Sequence, residues 1–257
     1  MNQGQRLDAI INQLNIKNEL TVEEAVVVLG ASPATVRRDF RLLSEQKKVE
    51  KTWGGVRKLN QSGTEILSLN YRSSIATAEK KQIAKKAVSL INKDDIIFID
   101  GGTTTFEMAP FLVSKRIRVI TNSLLIAQKI HASRKSLEGP EVILLGGLMY
   151  ARDALVVGPQ TIENLKGYHA DWVFLSVGGL EGGWAYNSNQ LVVEAERAMM
   201  ANADKSVLMA DYTKIGKRSL CKMCRLDEVD YLITNNTDYT NHSPDSLQID
   251  PGRLIIV

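Results

Sequence analysis

The chain has 257 residues, 44% hydrophobic and 24% charged, which excludes a disordered or fibrous polymer and allows one large or two unequal domains. No apolar run approaches the roughly 18–20 residues of a membrane helix, and the start lacks the apolar stretch of a signal peptide. Two cysteines, Cys221 and Cys224, are too few to staple a secreted fold, so a reducing cytoplasm is the expected location. The formal charge is +3, and it is unevenly placed: residues 1–60 hold ten Lys or Arg against seven Asp or Glu, while residues 61–257 hold 22 of each.

In chain order, Leu7, Ile10, Ile11 and Leu14 keep helical spacing, and residues 15–20 read as a polar connection. Thr21 with Glu24 has the spacing of a capping box, and Val22, Ala25, Val26 and Leu29 give the next apolar face, ended by Gly30. Ser32 can cap a third helix with Pro33 at its first position, where the missing N–H costs nothing. Val36, Phe40 and Leu43 then point inward, leaving Ala34, Thr35, Arg37, Arg38 and Arg41 outward. Two helices joined by so short a turn form a helix-turn-helix. Residues 48–53 alternate, Gly54-Gly55 turns, and Val56 to Leu59 returns, giving a basic hairpin with Lys51, Trp53 and Arg57. Together these predict a winged helix over 1–59 that binds double-stranded DNA. Ser32 and Thr35 meet phosphates or base edges, and Arg37 and Arg38 lie one turn further along. The charge pattern taken alone fits a solvated helix face equally well.

Residues 60–76 read as a linker, and 77–257 as an α/β domain. Ala78 to Ile91 is helical, with a lysine face (80, 81, 85, 86) expected in solvent. Apolar runs at 96–99, 118–120, 142–145, 172–177, 206–209, 231–233 and 254–257 alternate with helical segments, which predicts a mostly parallel sheet covered by helices. The strand ends carry polar and glycine-rich segments: Asp100-Gly101-Gly102-Thr103-Thr104, Thr121-Asn122, Gly146-Gly147, Gly178-Gly179 and the stretch ending in Lys214. Ligands of open α/β sheets bind at those ends. The DGGTTT element is either turn chemistry or a phosphate cradle at a helix start, and Lys214 as counter-charge favours the cradle. No GxxxxGK[ST] or GxGxxG element occurs. Pro110 is expected to end or kink the helix after the threonines. Cys221-x-x-Cys224 has no partner pair for zinc, and nothing in the chain calls for a metal or a cofactor.

The stretch TVEEAVVVLGASPATVRRDFRLLSEQKKVEKTWGGV resembles the N-terminal winged helix of the DeoR family of bacterial sugar-metabolism repressors. IDGGTT, ITNS, the Gly-Gly after 142–145, NQLVVEAERAMM and ADYTKIG resemble its effector domain, which is related to ribose-5-phosphate isomerase. The resemblance implies a regulator controlled by a phosphorylated sugar. Thr103, Thr104 and Lys214 would hold the phosphate, and Asp100, Asn122, Asn189 and Glu194 the sugar hydroxyls. The chain departs from the family at Lys51, Trp53, Val192 and Glu196, where the family often has arginine, histidine, an acid and lysine. A homodimer or homotetramer on repeated half-sites is expected, because one winged helix gives modest affinity. The alternative is a sugar-phosphate isomerase-like enzyme with Glu194 as base and Lys214 as electrophile.

Overall fold

The computed structural model describes residues 3–17, 19–46, 48–52, 54–58, 69–134, 139–235 and 247–257. The chain divides into two compact units, Met1–Glu65 and Ile66–Val257.

In the first unit the elements run α1 (Gln3–Lys17), β1 (Glu19–Thr21), α2 (Val22–Leu29), α3 (Pro33–Glu45), β2 (Val49–Thr52) and β3 (Gly55–Lys58). The local signals act as their chemistry requires. Thr21 Oγ1 accepts from the Glu24 amide at 3.2 Å, and Glu24 accepts from the Thr21 amide at 3.0 Å, closing the capping box. Gly30 takes the left-handed conformation (φ 58°) at the end of α2, and Ser32 accepts from the Thr35 amide at 3.3 Å to start α3. Ile10, Leu14, Ala25, Val36, Phe40, Leu43, Val49 and Val56 close one core. Residues 15–20 are not all connection: β1 pairs with β3, and its Leu20 is buried. Three residues are too few for periodicity to reveal a strand. The pairing needs glycine at Gly55, where a Cβ would lie 2.3 Å from the Leu20 carbonyl oxygen.

The second unit runs α4 (Leu69–Ser74), α5 (Thr77–Ser89), β4 (Ile96–Ile99), α6 (Thr103–Phe106), α7 (Ala109–Leu112), β5 (Arg118–Thr121), α8 (Leu124–Ser133), β6 (Glu141–Leu144), β7 (Leu148–Tyr150), β8 (Leu155–Val157) and α9 (Pro159–Leu165). It continues with β9 (Ala170–Ser176), β10 (Gly179–Glu181), β11 (Trp184–Asn187), α10 (Gln190–Ala201), β12 (Ala203–Met209), β13 (Cys221–Arg225), β14 (Tyr231–Thr234) and β15 (Leu254–Ile256). Seven strands form one sheet in the order β15-β14-β12-β9-β4-β5-β6, every neighbouring pair parallel. Alternation along the strands builds two cores. Ile97 and Ile99 face α5, α7 and α8, while Phe98 faces the side that holds α9 and α10. Pro110 sits in the first turn of α7, and the helical path breaks between Phe106 and Ala109.

Two expectations change here. Helix α4 stands inside the stretch read as linker, and Lys80 is not in solvent. Lys80 is 2% exposed, and its Nζ donates to the carbonyls of Arg72 and Ile75, the latter at 2.7 Å. It lies one turn before Ile83 and Ala84 on the inner face of α5, so its ammonium fastens the end of α4 to the core.

Candidate functional sites: a DNA-facing surface and a switch-point crevice

In the first unit, α3 carries Arg37, Arg38 and Arg41 exposed on the face opposite Val36, Phe40 and Leu43. Ser32, Pro33 and Ala34 are exposed at its start, and Thr35 is partly covered. Arg37, Arg41 and Lys51 line one shallow groove between α3 and the β2–β3 hairpin. Arg57 is spoken for: it pairs with Glu50 across the hairpin at 2.9 Å. Trp53 lies outside the described residues. A feature the sequence did not announce is Asp39, fully buried in α3 and held by Arg6 Nε at 2.7 Å, which ties α1 to α3.

In the second unit, β4 to β6 are laid down in one direction and β9, β12, β14 and β15 in the other, so the strand order reverses between β4 and β9. Loops leaving those two strands diverge and leave a crevice. It is lined by Gly101, Thr103 and Thr104 after β4, Ser176 and Val177 after β9, and Lys214 after β12, together with Arg72, Asp153, Asn187 and Ser188. The enclosed volume is about 30 Å³, and a second recess of about 190 Å³, lined by Gly102, Ser73 and Leu125, shares Thr103 and Asp153 with it. The glycines are steric necessities. A Cβ on Gly101 would sit 1.9 Å from Leu155 Cδ2, and one on Gly102 1.9 Å from Ser176 Oγ. Helix α6 is a single turn, so the threonine hydroxyls and backbone there act with little help from a helix dipole.

Charge dominates the crevice. Burial lowers the Lys214 pKa to about 8, opposed by Asp211 and reinforced by Lys80, Arg72 and Lys217. Arg72 Nη2 donates to Asp153 Oδ1, both side chains mostly covered. Lys80 Nζ is 3.8 Å from Asp211 Oδ2. Beneath the floor lie Asp100 and Asn122, both fully buried; Asn122 Nδ2 donates to Asp100 Oδ1 at 3.0 Å and the Gly101 amide to Asn122 Oδ1 at 3.1 Å.

The remaining sequence candidates lie elsewhere. Thr121 donates to the Ile99 carbonyl at 2.6 Å and so locks β5 to β4. Gly146 and Gly147, two strands from the reversal, pack on α9, with Thr161 donating to the Gly146 carbonyl at 2.9 Å. A Cβ on Gly179 would meet the Lys217 carbonyl at 2.3 Å, and the Gly178 amide donates to Tyr186 at 2.7 Å. Asn189 caps α10 through the Leu191 amide at 2.9 Å, and Glu194 accepts from Gln190 at 3.0 Å. Glu194 is not among the residues lining the crevice with Lys214, and its carboxylate is engaged by Gln190. Arg72, Asp153 and Asn187 were missed, and nothing local in the sequence marks them. A larger open cavity of about 840 Å³ lies by the opposite strand ends, where Arg116 pairs with Asp94 at 3.0 Å and Arg118 with Glu141 at 2.8 Å.

Among the described residues no helix is long and apolar enough to cross a membrane, and no three His, Cys, Asp or Glu gather as a metal site. Cys224 is a buried thiol pushed up to about 12 by burial, and both cysteines are free.

Known proteins place the two units. The DeoR-like helix-turn-helix domain matches residues 6–62, and the DeoR C terminal sensor domain matches residues 75–236. The HTH-type transcriptional regulator UlaR of Shigella dysenteriae serotype 1 (strain Sd197) is 32% identical over 248 residues, 96% of this chain and 95% of that protein. The regulator of the same name from Escherichia coli (strain K12 / DH10B) aligns with the same identity and coverage, 32% and 96% of this chain. Among solved structures, the full-length sorbitol operon regulator SorC from Klebsiella pneumoniae aligns at 14% identity over 81% of this chain and 91% of that one, with a TM-score of 0.36. Ribose 5-phosphate isomerase A from Methanocaldococcus jannaschii aligns at 17% identity over 53% of each chain, TM-score 0.39. A helix-turn-helix unit and a parallel-sheet sensor unit, each matched by its own family model and together by full-length relatives, make this chain a member of the DeoR family of DNA-binding transcriptional regulators.

Proposed function

We propose that the protein is a repressor of carbohydrate-metabolism genes whose hold on operator DNA is set by a phosphorylated sugar bound in the switch-point crevice. The observation that carries this reading is the placing of Arg72 and Lys214 on one small polar space that Asp153 also lines, with Lys80 and Asp211 buried near Lys214. A phosphate dianion matches that excess: Lys214 and Arg72 supply charge, and Thr103 and Thr104 supply hydroxyl donors.

Asp153 stands where the phosphate would compete. It holds Arg72 and lines both recesses, and about 30 Å³ admits a water but not a sugar. An effector phosphate takes Arg72 from Asp153 and joins the two spaces. Arg72 belongs to α4, which follows directly on the segment leading from the DNA-binding unit. Ligand binding therefore changes what holds the start of the sensor unit. The two states differ in ligand contacts, as a population shift requires. In this reading the first unit reads DNA through α3 and the hairpin, and the second also joins copies into a dimer or tetramer.

The test is a thermal-melt panel of phosphorylated sugars, each beside its unphosphorylated parent, on the wild type, Lys214→Ala and Asp153→Asn. A ligand of the folded state raises the melting temperature with concentration. The expected result is a shift from one phosphorylated sugar and none from its parent, lost in Lys214→Ala. Asp153→Asn should tighten binding on the order of tenfold, ~1.4 kcal/mol, by removing the internal competitor. Equal shifts from a sugar and its phosphate, or a shift that survives Lys214→Ala, would sink the assignment.

A further inference from the structure

We propose that Asp100 and Glu196 hold a single proton between them beneath the sensor crevice, and that this clamped pair sets the hydrogen-bonding polarity of the crevice wall. Asp100 ends β4 and Glu196 sits in the middle of α10, and both are 0% exposed. Each has one oxygen satisfied: Asp100 Oδ1 accepts from Asn122 Nδ2 at 3.0 Å, and Glu196 Oε1 accepts from Asn187 Nδ2. The two carboxyls are close enough to act on one another, and Asp100 Oδ2 and Glu196 Oε2, both buried, have no donor among the described residues. Two bare carboxylate oxygens in contact repel and would each pay a desolvation cost; a proton placed between them gives one a donor and the other an acceptor.

The surroundings do not supply a cation instead. Asp153, at the β7–β8 turn, adds negative potential at Asp100. Arg197, next in α10, favours ionised Glu196 but is committed to the carbonyls of Met223 at 2.7 Å and Lys222 at 2.9 Å. On β13, Cys224 is a neutral thiol. Burial accordingly pushes both carboxyls up, Asp100 to about 7 and Glu196 well above the carboxylate range.

The pair positions two amides. Asn122, bonded to Asp100, receives the Gly101 amide and fixes the Asp-Gly-Gly turn. Asn187 donates both its amide hydrogens, to Glu196 and to the Ser176 carbonyl at 3.4 Å, so its carbonyl oxygen is what it can offer the crevice it lines. That wall accepts hydrogen bonds. It suits hydroxyls of a polyol and disfavours a second phosphate or a carboxylate, placing the ligand's single anionic group at the Lys214 and Arg72 end. The proton stands on the burial, the two orphaned oxygens and the mutual influence of the carboxyls, whereas the ligand class rests on the proposed effector function.

The experiment is infrared spectroscopy of the full-length protein with 13C-labelled aspartate and glutamate, joined to thermal melts. A protonated-carboxyl C=O stretch is expected to persist at about pH 7, where exposed carboxyls are ionised, and to vanish in Glu196→Gln and in Asp100→Asn, whose amides donate without a proton. Because the folded-state values are raised, the stability this pair contributes is fully present at low pH and is lost as pH rises through about 7. The wild type should therefore lose more melting temperature than Glu196→Gln between about pH 5 and about pH 8. Absence of the band from the wild type at neutral pH, or its survival in both variants, overturns the shared proton, and the wild-type spectrum decides even where a variant fails to fold. Fructose 6-phosphate and fructose 1,6-bisphosphate serve as probes of the wall: a larger shift from the bisphosphate overturns the wall's polarity. A band with no response to any phosphorylated sugar would leave the proton standing and remove the effector reading together with the ligand class.

Discussion

Lys214 shows how burial can prepare an ordinary side chain for the sensing role proposed for it. Desolvation and three neighbouring cations bring its pKa down to about 8, so at about pH 8 it is roughly half protonated in the empty crevice. A phosphate bound beside it reverses the balance and holds the charged form. Binding at that pH should therefore take up roughly half a proton, which calorimetric titration in buffers of different ionisation enthalpy measures directly; enthalpies independent of the buffer would mean that Lys214 does not meet the anion. That Lys214 and the threonines after β4 share one crevice could be expected from the sequence, because they follow apolar runs at strand ends. Arg72 and Asp153 could not, since their pairing joins positions 81 residues apart and neither is flanked by a recognisable motif. Asn189 and Glu194 show how one residue type can serve two ends. An asparagine before a helix and a glutamate within it suit a ligand or a cap equally, and here Asn189 caps α10 and Glu194 bonds Gln190.

At the scale of elements, legibility followed length and chemistry. Every strand of the seven-stranded sheet was marked by an apolar run, most fully in the inner strands β4, β9 and β14, because a strand covered on both faces is apolar along its length. The strands of the small sheets, β7, β8, β10, β11 and β13, span three to five residues and are partly polar, so periodicity had nothing to act on. Helix α4 is held by Lys80 and Asp153 more than by its own propensity, and read locally as a linker. The convergence of strand ends was only half right for a topological reason. Loops part only where the strand order reverses, so Gly146-Gly147 at the edge strand β6 cannot reach the β4–β9 crevice. Caps, by contrast, were legible because they are local contracts. Thr21 illustrates their worth: it closes the capping box of α2, with its hydroxyl turned to the Glu24 amide. Thr21→Ala should lower the stability of the first unit by about 1 kcal/mol, read as an earlier melt of that unit, and leave DNA affinity unchanged below the melt. A loss of DNA binding with no change in melting would mean that this end of α2 lies in the interface.

For the molecule as a whole, the division into units matches a division of charge. The first 60 residues carry the entire excess of +3, and residues 61–257 are balanced, so attraction to a polyanion is concentrated in the unit that bears α3 and the hairpin. Lys51 is the clearest probe of that attraction and of assembly together. It is exposed on β2, beside the groove shared with Arg37 and Arg41, and a compact ammonium there suits a phosphate better than a base edge. Each phosphate contact contributes about 0.9 to the slope of log affinity against log salt. Lys51→Ala in a monomer on one half-site should reduce that slope by about 0.9, and in a dimer on two half-sites by about 1.8, because the contact is lost twice. The larger change is the expected one, measured by operator titration across salt concentrations with the assembly's mass taken by light scattering against the 28.5 kDa chain. A slope that does not move would remove the hairpin from the DNA interface. A change of about 0.9 with a mass of one chain would instead remove the paired half-sites and the proposed assembly of copies through the second unit.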